Sequence, residues 1–485
     1  MSSAQSGGGR GRSRLDAIFD RLEAVAAHRR ELWLKLLVVG LLALAALRLG
    51  VGYQRLVWFP PAKRSAGYYI AEGEGAVDLM ARRFEATDYF VRRETPCRFS
   101  PSPCVRTRVY PPATYAILWP FTGRGSVSAA RWTWAALSTA ALAWLCRTSA
   151  RACGFRQPLA RFAFGLLPLT FLSTSAALSV GQLSPVVMAL VVAAALRLSS
   201  APRTLRDDLV GAVAFALSAV KPTLAIPFGW LLLFLPGSLR PAGISAAVYG
   251  GLTAAAILVR NFARGAVTTA TAVVRPDGAA LGTPVPVATA WASGQLSAVP
   301  VATPDAATRS FRSTQRMFHG GYANFLNLLV DLGIDRPWVL LPALIATAAL
   351  GPWAWRHRRD DPWILLGVAG LVARLGFYHR VYDDLLVLPA LVALARLASG
   401  AVARSDGTRV GVATGVSRSA MATLLLVACP MMAPRDFPPV EWRVAASWFG
   451  WLTAFGLLVL VVGPGATRRG WILARAESLD TPMDG

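Results

Sequence analysis

The first long apolar run of the chain covers residues 32–49 and reads LWLKLLVVGLLALAALRL. A helix needs about 20 predominantly apolar residues to cross the hydrocarbon core of a bilayer. Similar runs recur as far as residue 463, separated by more polar segments. Because backbone polar groups inside lipid must be paired within the protein, each run is predicted to be a helix. We therefore expect an all-α polytopic membrane protein.

The overall composition supports this interpretation. Of the 485 residues, 54% are hydrophobic and only 16% are charged, whereas a typical soluble domain is about 25% charged. The net charge of +24 comes mostly from arginines that lie in short segments between apolar runs. Arginine in that pattern sets membrane topology, whereas nucleic-acid binding would gather it on one soluble module. The expected electrostatic partners are lipid head groups and not nucleic acid.

The membrane domain is predicted to cover residues 32–463, after a basic head at residues 1–31 and before a tail at residues 464–485. It contains about twelve predicted membrane-spanning helices. Their predicted ranges are 32–50, 129–147, 160–178, 183–197, 208–220, 223–237, 242–259, 337–355, 362–376, 383–399, 419–432 and 444–463.

The arginines of the head predict that it is cytoplasmic. If each predicted helix crosses the membrane in turn, the loops alternate between its two sides. The short arginine-rich loops then all lie on the cytoplasmic side with the head, provided that residues 208–237 cross the membrane twice. A helix break at Lys221-Pro222 allows this, since proline removes a backbone donor and disfavours helix in the preceding residue. Both termini are then cytoplasmic, and two long outer loops cover residues 51–128 and 260–336.

The first outer loop is predicted to contain a helix that lies flat in the membrane interface. Apolar residues recur at helical spacing within residues 77–91, and Arg82, Arg83 and Arg92 lie away from that apolar stripe. The following apolar stretch, which ends at Phe121, is too short to span the bilayer and is predicted to be re-entrant.

Asp78, at the start of this helix, is the first candidate for a catalytic group. A carboxylate at the outer hydrocarbon boundary can take a proton from a sugar hydroxyl. The alternative is that Asp78 only caps its helix or pairs with Arg82, four residues on. Asp88 is the second choice, and it lies roughly 80° round the helix from Asp78, so that the two carboxylates do not form a pair.

Further polar residues are predicted at helix ends on the same outer side: Gln182, Lys221, His379 and Arg380. Together with an acid, such groups suit attack on a lipid-linked phospho-sugar, where a base activates the acceptor and cations hold the phosphate. Each also has a structural alternative. Gln182 would cap a helix, Lys221 would snorkel to head groups, and His379 and Arg380 would contact only lipid phosphate.

No metal site is predicted. The five cysteines have no metal-binding spacing, and Asp383 and Asp384 alone do not make a site. Cys97 and Cys104 flank a polar segment of the first outer loop, and either a small disulfide or two free thiols is compatible with the sequence.

Taken in order, several segments resemble glycosyltransferase family 87. These segments are Asp78, Tyr110-Pro111-Pro112, Gly181-Gln182, Lys221-Pro222 and residues 379–389. The members of this family are polytopic enzymes of the C-type glycosyltransferase fold, and they include mannosyltransferases that use polyprenyl-phosphate mannose. The chain departs from the pattern where Ser184 replaces an asparagine that often follows Gly-Gln in similar sequences.

The resemblance implies an inverting sugar transfer with no cofactor other than the lipid-linked donor. An aspartate early in the first outer loop is the presumed base of the family, which implies that Asp78 deprotonates the acceptor. The resemblance also implies that Tyr110 and Gln182 bind substrate and that Lys221, His379 and Arg380 contact the donor phosphate.

The sequence thus predicts a hexosyltransferase, expected to be a mannosyltransferase, that acts on a lipid or glycan acceptor of the cell envelope. The expected location is the outer face of a bacterial inner membrane. A transporter or flippase is an alternative, but it would favour ionisable groups near the bilayer midplane and repeated halves. A non-catalytic envelope scaffold is the third alternative.

Overall fold

The computed structural model describes residues 14–60, 64–65, 68–69, 75–92, 110–123, 125–200, 202–270, 336–376, 381–402, 412, 414–433 and 440–461. In the first half of the chain the helices are α1 (Arg14–Tyr53), α2 (Val77–Thr87), α3 (Pro112–Thr122), α4 (Val127–Ala152), α5 (Pro158–Thr170), α6 (Leu172–Val180), α7 (Ser184–Leu198), α8 (Leu205–Ser218) and α9 (Pro222–Phe234). In the second half they are α10 (Leu239–Ala270), α11 (Arg336–His357), α12 (Pro362–Gly376), α13 (Leu388–Ser399), α14 (Thr414–Met432) and α15 (Val440–Val461).

The remaining described elements are short. Two π-helical turns, π1 (Gln54–Trp58) and π2 (Asp88–Arg92), extend α1 and α2, and a 3₁₀ segment (Val381–Val387) leads into α13. The strands β1 (Arg64–Ser65) and β2 (Tyr68–Tyr69) form a two-residue antiparallel pair. The described part of the chain is therefore helical apart from this pair.

Each of the twelve predicted ranges overlaps helical residues of the described part of the chain, which confirms the all-α prediction there. The break at Lys221-Pro222 is also present, because α8 ends at Ser218 and α9 begins at Pro222. Proline suits the first position of a helix, where its missing N–H is not needed. The break therefore follows from local chemistry, as the sequence indicated.

One predicted helix, residues 160–178, is divided in two. Helices α5 and α6 meet at an angle of 46°, and Phe171 between them has an extended backbone. Pro168 lies just before the break and cannot donate a helical hydrogen bond. The hydroxyl of Thr174 donates to the carbonyl of Pro168, and that of Thr170 donates to the carbonyl of Leu167 at 2.8 Å. These bonds satisfy carbonyls near the kink.

Within the described residues, four helical stretches are long and apolar enough to cross a membrane. These stretches are Arg29–Trp58, Leu239–Asn261, Thr414–Met432 and Trp442–Val461, and the bent pair of α5 and α6 would be a fifth. Helices α7, α9 and α12 are apolar but shorter. At 1.5 Å per residue, 15 residues cover about 22 Å, which is less than the ~30 Å hydrocarbon core. That all twelve helices cross the membrane stays a prediction.

The buried centre of the protein is formed by α12, the 3₁₀ segment and α13, in which nearly every described side chain is buried. Helices around it expose large apolar side chains. Trp33 is 69% exposed, Phe449 63% and Leu460 73%. Apolar surface of this extent is unusual for a soluble monomer and suits contact with lipid.

The helix predicted in the first outer loop is present as α2, but its surroundings differ from the prediction. Arg82, which was expected on the polar face, is buried together with Glu85. Helix α2 packs against α3 and α6, and the Arg82 guanidinium donates to the Glu85 carboxylate at 2.5 Å. Neutralisation by Glu85 lets the arginine be buried, a pairing that apolar periodicity alone does not show.

Candidate active site

The start of α2 is docked onto the end of α6 by backbone hydrogen bonds. The N–H of Ala76 donates to the carbonyl of Ser179 at 2.9 Å, and the N–H of Gly75 donates to the carbonyl of Pro60 at 2.9 Å. Ala76 has the left-handed conformation, with φ of 59°, and non-glycine residues keep such a backbone only where their surroundings hold it. Asp78, two residues on, is thereby held against the turn between α6 and α7.

In this position Asp78 accepts a hydrogen bond from Gln182. Gln182 Nε2 lies 2.8 Å from Asp78 Oδ2. The other end of the amide, Oε1, accepts from the N–H of Leu183 at 2.9 Å, which fixes the orientation of the amide group. Asp78 is half-buried whereas Gln182 is buried, so that an accessible carboxylate is held by an inaccessible partner.

Among the described residues, Asp78 forms neither a capping hydrogen bond nor a salt bridge to Arg82 within 4 Å, and its charge acts on Arg82 only at longer range. The N-cap of α2 is Ala76, without a side-chain capping bond. Arg82 pairs with Glu85, and its guanidinium also lies 4.3 Å from the ring centroid of Tyr110. Burial lowers the pKa of Arg82, but Glu85, Tyr110 and Asp78 raise it by more, and the guanidinium stays charged. A permanent cation therefore stands one helical turn from Asp78.

The turn that holds Gln182 requires glycine at position 181. Gly181 has φ of +68°, and a Cβ there would lie 2.6 Å from the Cβ of Leu79. Close approach of this turn to α2 brings Gln182 within hydrogen-bond distance of Asp78.

Replacing Gly181 with alanine is therefore expected to destabilise the protein. The left-handed backbone alone costs about 1–3 kcal/mol, and the contact with Leu79 would push α2 away from the turn. Gly400→Ala is a matched control, because Gly400 has φ of +66° but nothing within 4 Å of its Cβ position. We expect a larger drop in thermal unfolding midpoint for Gly181→Ala. Equal drops would show that the approach of Leu79 does not matter.

Lys221 lies in a second part of the same site. Its ammonium donates to Asp383 Oδ1 at 2.7 Å, and the hydroxyl of Ser184 donates to the same oxygen. The ammonium also lies 5.3 Å from the ring centroid of Tyr382. The turn before it is held by Thr114 of α3, whose hydroxyl donates to the carbonyl of Val220 at 3.0 Å. Lys221, Asp383 and Ser184 are all buried.

The two parts are joined through the start of α7, because Gln182 and Ser184 are two residues apart. We call the residues Asp78, Gln182, Ser184, Lys221 and Asp383 the polar cluster. The structure thus brings together three of the residues singled out from the sequence, namely Asp78, Gln182 and Lys221. Their roles as base and ligands stay predictions.

Of the other residues singled out, Tyr110 and Asp88 are described and lie outside the polar cluster. Tyr110 packs on Arg82, one turn of α2 beyond Asp78. Asp88 is buried and is followed in the chain by Tyr89, whose ring stacks on that of Tyr115 with the centroids 5.1 Å apart. His379 and Arg380 lie outside the described residues, as do Cys97 and Cys104. Arg380 immediately precedes the 3₁₀ segment that carries Asp383.

Asp383 lies in the segment 379–389 that carries the family resemblance, but the sequence led to no role in the site for Asp383 or Ser184. An acidic residue at a helix end in an apolar chain needs a charged or hydrogen-bonding partner. The position of Asp383 between two apolar helices could therefore have indicated such a partner. The neighbouring Asp384 is paired as well, and accepts from Arg374 at 2.5 Å. In the described ranges, no group of three or more potential metal ligands is present.

Comparison with known proteins identifies the family. The family model described as glycosyltransferase family 87 matches residues 109–389, which is more than half of the chain. The match includes every residue predicted to bind substrate, whereas Asp78 lies before it. No curated protein and no solved structure matches the chain. The chain therefore belongs to glycosyltransferase family 87 and is a membrane glycosyltransferase.

Proposed function

We propose that this protein transfers mannose from a polyprenyl-phosphate donor to a lipid or glycan acceptor, with Asp78 as the general base. The observation that carries the proposal is the hydrogen bond from buried Gln182 to the half-buried carboxylate of Asp78. The site would lie on the outer face of a bacterial inner membrane, with both termini cytoplasmic. The proposal includes about twelve membrane crossings and the C-type glycosyltransferase fold.

A general base must reach its substrate, and Asp78 is the most accessible member of the polar cluster. The other four members are each at most 6% exposed. Gln182 occupies Oδ2 of Asp78, and among the described residues Oδ1 has no hydrogen-bond partner. Oδ1 is therefore the oxygen that would take the proton of the acceptor hydroxyl.

In the proposed reaction, the acceptor oxygen loses its proton to Asp78 and attacks C1 of the donor sugar opposite the phosphate. The bond between C1 and the phosphate oxygen breaks, and polyprenyl phosphate leaves with the electron pair. The configuration at C1 is inverted. Negative charge develops on the departing phosphate, so that cations placed beside it lower the barrier.

Lys221, His379 and Arg380 are the proposed cations. Lys221 has three ammonium hydrogens, of which Asp383 engages one in the described structure. Arg380 is three residues from Asp383 along the chain, so their Cα atoms are at most about 11 Å apart. The Lys221–Asp383 pair would thereby keep Arg380 and His379 within reach of the same phosphate, while Tyr110 lines the path beside α2.

The donor is tested with membranes that contain the full-length chain. Radiolabelled polyprenyl-phosphate mannose, polyprenyl-phosphate glucose and nucleotide-linked mannose are supplied separately, and label in extracted lipid and glycan is counted. We expect transfer from the polyprenyl-phosphate mannose. A preference for the glucose donor would contradict the mannose assignment. Use of the nucleotide donor alone, or passage of the lipid-linked sugar across the membrane without transfer, would contradict the proposed reaction.

A further inference from the structure

A cleft of about 500 Å³ lies between α4, α7, α8, α12 and α13, away from the polar cluster. We call it the basic cleft, because Arg151, Arg197 and Arg396 line it. Its volume is in the range of ligand-binding pockets, about 300–1,000 Å³. Ser184 and Arg197 are at opposite ends of α7, and thirteen residues of helix cover about 20 Å. The basic cleft is therefore near the membrane face opposite the polar cluster.

The three arginines differ in the hydrogen bonds and ion pairs that they already form within the protein. Arg396 donates to Asp361 at 2.8 Å and to the carbonyl of Ala152 at 2.9 Å, and so forms a wall of the cleft. Arg197 is exposed and pairs with Asp207 at 3.2 Å, a contact that solvent screens. Arg151 is exposed and forms no ion pair within the described ranges. Arg151 and Arg197 can therefore bind an added anion.

The basic cleft changes from cationic to apolar along the axes of α4 and α7. Arg151 is in the last turn of α4, Thr148 lies one turn before it, and Trp144 lies about 10 Å deeper by the rise of the helix. Arg197 likewise lies in the last turn of α7, and Val210 of α8 adds an apolar side chain to the lining. Trp144 and Val210 are exposed apolar side chains. The cleft thus has a cationic end at the helix termini and an apolar wall beneath it.

We infer that the basic cleft binds an anionic phospholipid, with the phosphate at Arg151 and Arg197 and an acyl chain against Trp144 and Val210. A soluble anion would use the arginines but would gain nothing from the apolar wall. A zwitterionic lipid would bring a second positive charge to a cationic cleft. The shape and the charge together therefore match a phospholipid with a net negative head group.

The test is retention of phosphatidylglycerol by the purified full-length protein, measured by native mass spectrometry during titration in detergent. Near a membrane surface each arginine contributes about 1 kcal/mol, or about fivefold in affinity. We expect Arg151→Gln with Arg197→Gln to weaken retention about 25-fold. Trp144→Ala is expected to weaken it as well, and phosphatidylcholine should be retained less than phosphatidylglycerol.

Arg156→Gln with Arg206→Gln is the matched control, because both arginines are exposed and neither lines the cleft. Unchanged retention in this control supports the inference, whereas an equal loss would show a general charge effect and overturn it. Inorganic phosphate is the competing probe. If it displaces phosphatidylglycerol at millimolar concentration and Trp144→Ala has no effect, the cleft is a small-anion site and the lipid assignment is wrong.

Discussion

The Asp78→Asn variant is expected to transfer mannose about 10²- to 10⁴-fold more slowly, the range contributed by a positioned general base. Asparagine has nearly the size of aspartate, and its carbonyl oxygen can still accept the hydrogen bond from Gln182. It cannot take a proton from the acceptor hydroxyl. The variant therefore removes the proposed chemistry while keeping the contact that docks α2 on the turn before α7.

The measurement is the initial rate with radiolabelled polyprenyl-phosphate mannose in membranes, normalised to the amount of protein. Asp88→Asn is the matched control, since Asp88 is a second carboxylate ten residues along the same segment. It is buried near Tyr89 and does not belong to the polar cluster. An unchanged rate for Asp78→Asn, or an equal loss for Asp88→Asn, would remove Asp78 from the role of base.

The second large effect is expected at the buried ion pair of Lys221 and Asp383. Breaking a buried ion pair by removing one partner costs about 3–5 kcal/mol. Lys221→Met alone is therefore expected to lower both stability and transfer. In the double variant Lys221→Met with Asp383→Asn, both charges of this ion pair are removed together, and the introduced asparagine can still accept a hydrogen bond from Ser184. We expect most of the stability to return.

The rate of transfer separates a structural role of Lys221 from a role in binding the donor phosphate. If the ammonium stabilises the departing phosphate, the double variant should be stable but still slow. Thermal unfolding midpoints and initial rates of the two single variants and the double variant are compared. Recovery of the rate together with stability would show that Lys221 only pairs with Asp383.

Much of the helical architecture is readable from the sequence, because it depends on neighbouring residues. Long apolar runs predict where the helices lie, and Pro222 predicts the break that follows Lys221. The kink at Phe171 also has a local cause in Pro168, but the apolar run continues through it. Hydropathy therefore indicates one helix where there are two.

The partners of the site residues depend on contacts between distant parts of the chain. Asp78 and Gln182 are 104 residues apart, and Lys221 and Asp383 are 162 residues apart. The burial of Arg82 likewise depends on how α2 packs against α3 and α6. Amino-acid types and helix ends, which are local properties, named Asp78, Gln182 and Lys221 as candidates. Only the packing of helices decided that they share one cluster, and it added Asp383 and Ser184 because buried charges and donors need partners.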